Sequence, residues 1–157
     1  MSMSDNNSRQ AAAKLFSEEL LELCESGLLA EKGLREIIER HGNIYRHVGD
    51  YEFFGWACMN ERVTEGIIQC LLGLFPAASS AIDEDGWSPL HFACCNKNMT
   101  VNIIQLLIDA SPDSVRSVTN KGRMPLHLLC GTEDIDEIAA VKIFTLLVEK
   151  CPEALHH

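Results

Sequence analysis

Two pairs of side chains carry the first hint of chemistry. His91 and Cys94 stand three residues apart, and His127 and Cys130 repeat that spacing 36 residues later. Residues three apart on a helix share a face, and zinc favours imidazole and thiolate ligands. A His2Cys2 site between adjacent helices is therefore one reading. Tandem duplication gives the same spacing without a metal and is the simpler explanation, so no metal ligand is assigned. Cys95 offers a redox-sensing thiol, although nothing nearby in sequence guarantees the electropositive setting that lowers a thiol pKa. No Gly-rich phosphate loop or HExxH is present, and no protease signature surrounds any of the seven cysteines. Glu36, Glu39 and Arg40 read as a solvated helix face. No residue is assigned a catalytic role, no cofactor is expected, and the chain reads as a non-enzyme.

The elements that would position these residues are bounded by composition. At 157 residues and 46% apolar content, the chain is long enough for one domain that buries about two-thirds of its unfolded surface. Thirteen Lys+Arg against 23 Asp+Glu give a net charge of −10, which argues against nucleic-acid phosphates or an anionic membrane as partner. The best apolar run, Gly66 to Ile82, is broken by Gln69, Gly73, Pro76 and two serines, short of the ~20 residues a spanning helix needs. The N-terminus lacks the apolar core of a secretory signal. Seven cysteines without paired spacing read as reduced thiols of an intracellular protein, in cytoplasm or nucleus.

Shifted by 36 residues, the middle of the chain aligns on itself without a gap. Pro76 falls on Pro112, Gly86 on Gly122, Pro89 on Pro125, His91 on His127, and Cys58 on Cys94 on Cys130. The last unit needs four extra residues, placed near Thr132 to Glu137, before Pro152 matches Pro112. The acidic run Glu133, Asp134, Asp136 and Glu137 there reads as a solvated loop and helix start. A weaker shift of 34 sets Cys24 on Cys58. Each unit reads as turn, helix, turn, helix. Asp85-Gly86 marks a turn, Ser88 is an N-cap, and Pro89 opens a short helix ending near Cys95. Thr100 caps a second helix with Val101, Ile104, Leu107 and Ile108 on one face, stopped at Ser111-Pro112.

Gly86-Trp-Ser-Pro-Leu-His and Gly122-Arg-Met-Pro-Leu-His resemble the Gly-x-Thr-Pro-Leu-His motif of ankyrin repeats. The resemblance implies an all-α solenoid of stacked helix-turn-helix units joined by hairpin-like turns. It divides the chain into a disordered tail (1–10), an N-terminal helical cap or degenerate repeat (11–48), a degenerate repeat (49–82), a repeat (83–118), and a repeat with a four-residue insertion ending mid-unit (119–157). The period of 36, against the family's usual 33, implies a longer second helix or a longer connection after it. Ser88, Pro89, Leu90 and His91, with Pro125, Leu126 and His127, would be structural, the imidazoles bridging neighbouring units. Met124 replaces the motif's hydroxyl, so the hydroxyl-to-imidazole bond is expected to be lost there.

Protein binding on a concave face is what such a stack implies. Tyr51, Trp87 and Arg123 share one equivalent position beside the turn tip, and these residue types are enriched at binding hot spots. Family contact positions carried over add Glu84, Asp85, Cys95 and Asn96 from one unit and Asn120, Lys121 and Thr132 from the next. Met59 and Asn60 complete the set. Trp56, aligned with Phe92 and Leu128, is expected in the core. Cys24, Cys58, Cys94 and Cys130 are expected to form a ladder of buried thiols, because helix axes roughly 8–10 Å apart sit too far apart for disulfides. Ile143, Leu146, Leu147 and Val148 are expected to leave the C-terminal end partly exposed, a place for self-association or continuation. The function expected is a non-catalytic protein-interaction module. The alternative is a metal- or redox-responsive switch through His91/Cys94/His127/Cys130 or Cys95.

Overall fold

The computed structural model describes residues 3–153, so the last four residues of the 119–157 unit, where the repeat was expected to end mid-unit, lie outside the described residues. Four helix pairs follow one another: α1 (Met3–Glu25) and α2 (Glu31–His41), α3 (Glu52–Met59) and α4 (Glu65–Leu74), α5 (Pro89–Cys94) and α6 (Val101–Ala110), α7 (Pro125–Cys130) and α8 (Glu137–Lys150). The first helices of each pair pack in one layer, α1 on α3 on α5 on α7, and the second helices in another, α2 on α4 on α6 on α8. No strand occurs among the described residues.

Local chemistry sets these boundaries. Thr64, Thr100 and Asp136, spaced by 36, each cap a second-layer helix by accepting the amide of Ile67, Ile103 or Ala139. Such a cap satisfies one of the unpaired donors at a helix start. Ile67, Ile68 and Leu71 of α4 and Ile103, Ile104, Leu107 and Ile108 of α6 are buried, an apolar stripe at helical spacing. Pro76–Ser80 and Pro112–Arg116 each form a 3-10 turn after the second helix.

The structure corrects two expectations. Residues 3–10 belong to α1 rather than to a disordered tail. Ala13, Phe16, Leu20 and Cys24 bury one face of that helix, and exposed residues 6–11 extend it without adding to the core. The four-residue insertion lies inside a helix, not in the 132–137 loop. The α8 cap Asp136 keeps the 36-residue spacing from Thr100, whereas the terminal Cys151 stands 40 beyond Ser111. Accordingly α8 has 14 residues against 10 in α6, about one additional turn. That turn leaves Ile138 and Val141 67% and 65% exposed. Of the apolar residues expected at the C-terminal end, Ile143 and Leu147 are buried and Leu146 and Val148 half-buried, while Phe144 on the same helix is exposed.

Candidate functional site

Two turns, built alike 36 residues apart, project between the helix pairs. Asp83 N–H donates to the Trp87 carbonyl and Thr119 N–H to the Arg123 carbonyl, at 3.0 and 2.9 Å. The Asp83 carboxylate accepts the amides of Asp85 and Trp87, and the Thr119 hydroxyl accepts those of Lys121 and Arg123. Gly86 and Gly122 hold φ of +81° and +75°, which side-chain-bearing residues rarely adopt. The turns are joined laterally: Asn120 donates its amide to the Asp85 carbonyl (2.9 Å) and its side-chain NH2 to the Glu84 carbonyl (3.0 Å). The unit before them has no such turn. Only residues 48–51 stand between the 3-10 segment Gly42–His47, the counterpart of Pro76–Ser80, and α3, and Tyr51 packs half-buried on the rings of Phe53 and Phe75.

His91 fastens α5 to the next turn. Its Nδ1 accepts the Ser88 amide at 3.0 Å and lies 2.8 Å from the Ser88 hydroxyl. An amide can only donate, so the neutral ring carries its proton on Nε2, which donates to the Arg123 carbonyl at 3.0 Å. Burial pushes the imidazole below its ordinary pKa of 6.5, outweighing the Arg123 carbonyl that favours the cation. Ser88, Pro89 and Leu90 are buried around it. In the following unit, beside Pro125 and Leu126, His127 Nδ1 accepts the Met124 amide at 2.9 Å. No hydroxyl bond stands there, as the Met124 replacement implies, and Nε2 is buried without a partner among the described residues.

The zinc reading fails on these bonds. Both nitrogens of His91 are engaged, and no group of three or more His, Cys, Asp or Glu is arranged to hold a metal among the described residues. No disulfide joins any of the seven cysteines among the described residues. Cys24, Cys58 and Cys94 are buried as expected, and burial pushes the Cys24 thiol up to about 12 and those of Cys58 and Cys94 higher still. Burial also raises the pKa of half-buried Cys95, the opposite of what a reactive thiolate needs. Cys130 departs from the ladder and is exposed, because among the described residues α7 has an inner helix on one side only.

Several of the expected contact residues bind their own chain instead. Asn96 is 3% exposed, and its NH2 donates to the carbonyls of Cys58 (3.0 Å) and Asn60 (2.9 Å). Asn60 does the same one unit earlier, donating to Cys24 and Ser26 at 2.8 and 2.7 Å. The Thr132 hydroxyl lies 2.7 Å from the Cys94 carbonyl and 2.8 Å from that of Leu128, so one proton serves two acceptors. These three positions, spaced by 36, satisfy carbonyls left open at the end of the preceding first-layer helix. They hold neighbouring units together.

A groove of about 560 Å³ opens between α3, α5 and the 83–87 turn. Of the expected contact residues, Tyr51, Glu84, Asp85 and Trp87 line it. Trp87 is half-buried, its ring 5.2 Å from Phe92 and 5.9 Å from His91, so it packs locally while still facing the groove. Exposed Met59, half-buried Cys95, and exposed Asn120, Lys121 and Arg123 lie outside that lining. Trp56 was expected in the core; it is 43% exposed and lines the groove. Phe92 makes the α3–α5 contact instead: a Cβ at Gly55 would stand 3.0 Å from its ring. Ile82, 64% exposed, and Asp50, Glu52 and Asp83 complete a lining that sequence spacing did not single out. An exposed isoleucine directly before an acidic turn was the available signal.

No helix among the described residues is long and apolar enough to cross a membrane. A search of the curated proteins finds no match to the chain. The family model for ankyrin repeats in three copies matches residues 54–153, a span that holds both turns, the stacking asparagines and the groove lining apart from Asp50, Tyr51 and Glu52. Members of this family are generally protein-interaction modules and typically non-catalytic. With its 36-residue units, paired helices and a turn tied to the preceding unit by the His91 imidazole, the chain belongs to the ankyrin-repeat family.

Proposed function

We propose that the chain is a non-catalytic, intracellular protein-binding module that takes its partner in the groove between α3, α5 and the 83–87 turn. The observation that carries this reading is the juxtaposition of two exposed apolar side chains, Trp56 and Ile82, with Trp87 in one groove. Concave sites lined by apolar and aromatic side chains with a few polar groups are where ligands are usually taken, and tryptophan is among the residue types enriched at interface hot spots. The surrounding framework is rigid in the relevant sense. The turn that forms one wall is closed by its own hydrogen bonds and tied to the next turn through Asn120 and the His91–Arg123 bond. A partner therefore meets a preformed surface, which spares the ordering cost of association. Seven cysteines outside any disulfide among the described residues fit a reducing compartment.

The test is affinity capture from native extract with the wild type, a Trp56→Ala/Ile82→Ser variant, and a Gln69→Ala control on the outer layer. Expected is a partner retained by wild type and control and lost by the groove variant, all three folded by circular dichroism. A partner retained equally by all three would place the working surface elsewhere.

A further inference from the structure

The chemistry of the groove selects a partner more narrowly than the fold does. Resting on the reading that this groove is the working surface, we infer that its occupant is a protein segment carrying lysine or arginine beside an apolar residue. Five carboxylates line the groove, those of Asp50, Glu52, Asp83, Glu84 and Asp85, and no lysine or arginine does. The chain's ion pairs join other residues: Lys14 with Glu18, Arg35 with Glu31, Arg40 and His41 with Glu19, Lys97 with Glu61, and Arg116 with Glu153. None of the five groove carboxylates has a cationic partner among the described residues.

Their placement is fixed rather than fluctuating at two points. Asp83 is held by two backbone amides at 2.9 Å each, and Asp50 accepts the Glu52 amide at 3.1 Å. Glu52, Glu84 and Asp85 are exposed. Trp56, Trp87 and Phe92 line the same groove. An aromatic face attracts a cation through its quadrupole, and the aliphatic stem of lysine or arginine packs against the same ring. Carboxylates and aromatic rings in one lining thus suit both ends of one long cationic side chain. An acidic segment would be repelled by all five charges, and a purely apolar one would leave them unmatched. The cations Lys121 and Arg123 stand on the next turn, outside the lining. They give the surface a polarity, so the segment carries its positive charge over the 83–85 turn rather than over the 119–123 turn.

The test is selection from a random-peptide display library against the full chain, with a Glu52→Gln/Glu84→Gln/Asp85→Asn variant and a Trp56→Ala variant as counter-targets. Expected are peptides enriched in lysine or arginine next to an apolar residue, whose binding weakens as salt is raised. Exposed charge pairs each change affinity by a factor of about 1.5 to 5, so the triple variant should bind about 3- to 100-fold more weakly. Trp56→Ala should weaken the same peptides. If the enriched peptides are acidic or uncharged and still need Trp56, the cationic occupant is wrong while the groove stands. If the peptides bind both variants as well as they bind the wild type, or if none is enriched, both readings fall. The variants replace exposed side chains, and unchanged circular dichroism shows that loss of binding is not loss of fold.

Discussion

Replacing Asn96 by alanine separates a stacking residue from a partner contact. Its side chain donates to the carbonyls of Cys58 and Asn60 and accepts the Asn98 amide at 2.9 Å, at a site 3% exposed. Each such bond contributes about 0.5–1.5 kcal/mol net, and a buried acceptor left without its donor costs more. Two orphaned carbonyls and one lost acceptor then sum to about 2–4 kcal/mol, a large share of the roughly 5–15 kcal/mol that holds a domain of ordinary stability. Asn96→Asp should cost more than Asn96→Ala, because it removes both donors and sets a carboxylate against two carbonyl oxygens. The assay is urea unfolding followed by circular dichroism, with Glu84→Ala as a reference expected within about 0.5 kcal/mol of wild type. A loss below about 1 kcal/mol for Asn96→Ala would refute the stacking role and return the residue to the exposed surface.

Two glycines should respond with opposite sign. Gly86→Ala forces a Cβ to 2.8 Å from Asn120 Oδ1 at φ of +81° and should destabilise by about 1–3 kcal/mol. Gly73→Ala, in α4 with nothing within 4 Å of the new Cβ, should stabilise by about 0.5–1 kcal/mol, both read as shifts in denaturation midpoint. Because His91 is held neutral below its ordinary pKa of 6.5, its contribution to stability is complete above about pH 6.5 and declines as pH falls toward the folded-state value. The loss should not exceed about 1.4 kcal/mol per pH unit for this one proton. An NMR titration placing the His91 imidazole at or above 6.5 would contradict this. Under native alkylation read by mass spectrometry, exposed Cys130 should be modified promptly and buried Cys58 and Cys94 only after denaturant is added.

The repeat made much of this fold legible. A gap-free 36-residue shift, with Ser88-Pro89 and Thr100 as start signals and Ser111-Pro112 as a stop, located α5 and α6 to within a residue. Equivalence between units, however, says which positions correspond and not where their side chains point. Asn60, Asn96 and Thr132 were aligned on contact positions, yet their polar groups turn toward the preceding unit's open carbonyls. The recurrence of a short polar donor at one fixed place was the clue, since a varied surface has no reason to repeat it. Trp56 was assigned to the core by alignment with Phe92, but the absence of a side chain at Gly55 lets Phe92 fill that contact alone. The four additional residues were placed in the loop because the acidic run there resembles one. Helix α8 absorbs them as a turn, since its cap at Asp136 keeps step with Thr64 and Thr100. The groove itself joins residues from α3, the segment before the turn, the turn, and α5, and only the stacked structure brings them together.

The most direct measurement is site-specific photocrosslinking in native extract, with a photoreactive residue at Ile82 in the groove or at exposed Gln69 on the outer layer. The expected result is a discrete protein adduct from position 82, absent from position 69 and suppressed when Glu84 and Asp85 are changed to Gln and Asn. Adducts from position 69 alone, or the same adducts from both positions, would contradict the claim that the groove is where this chain meets its partner.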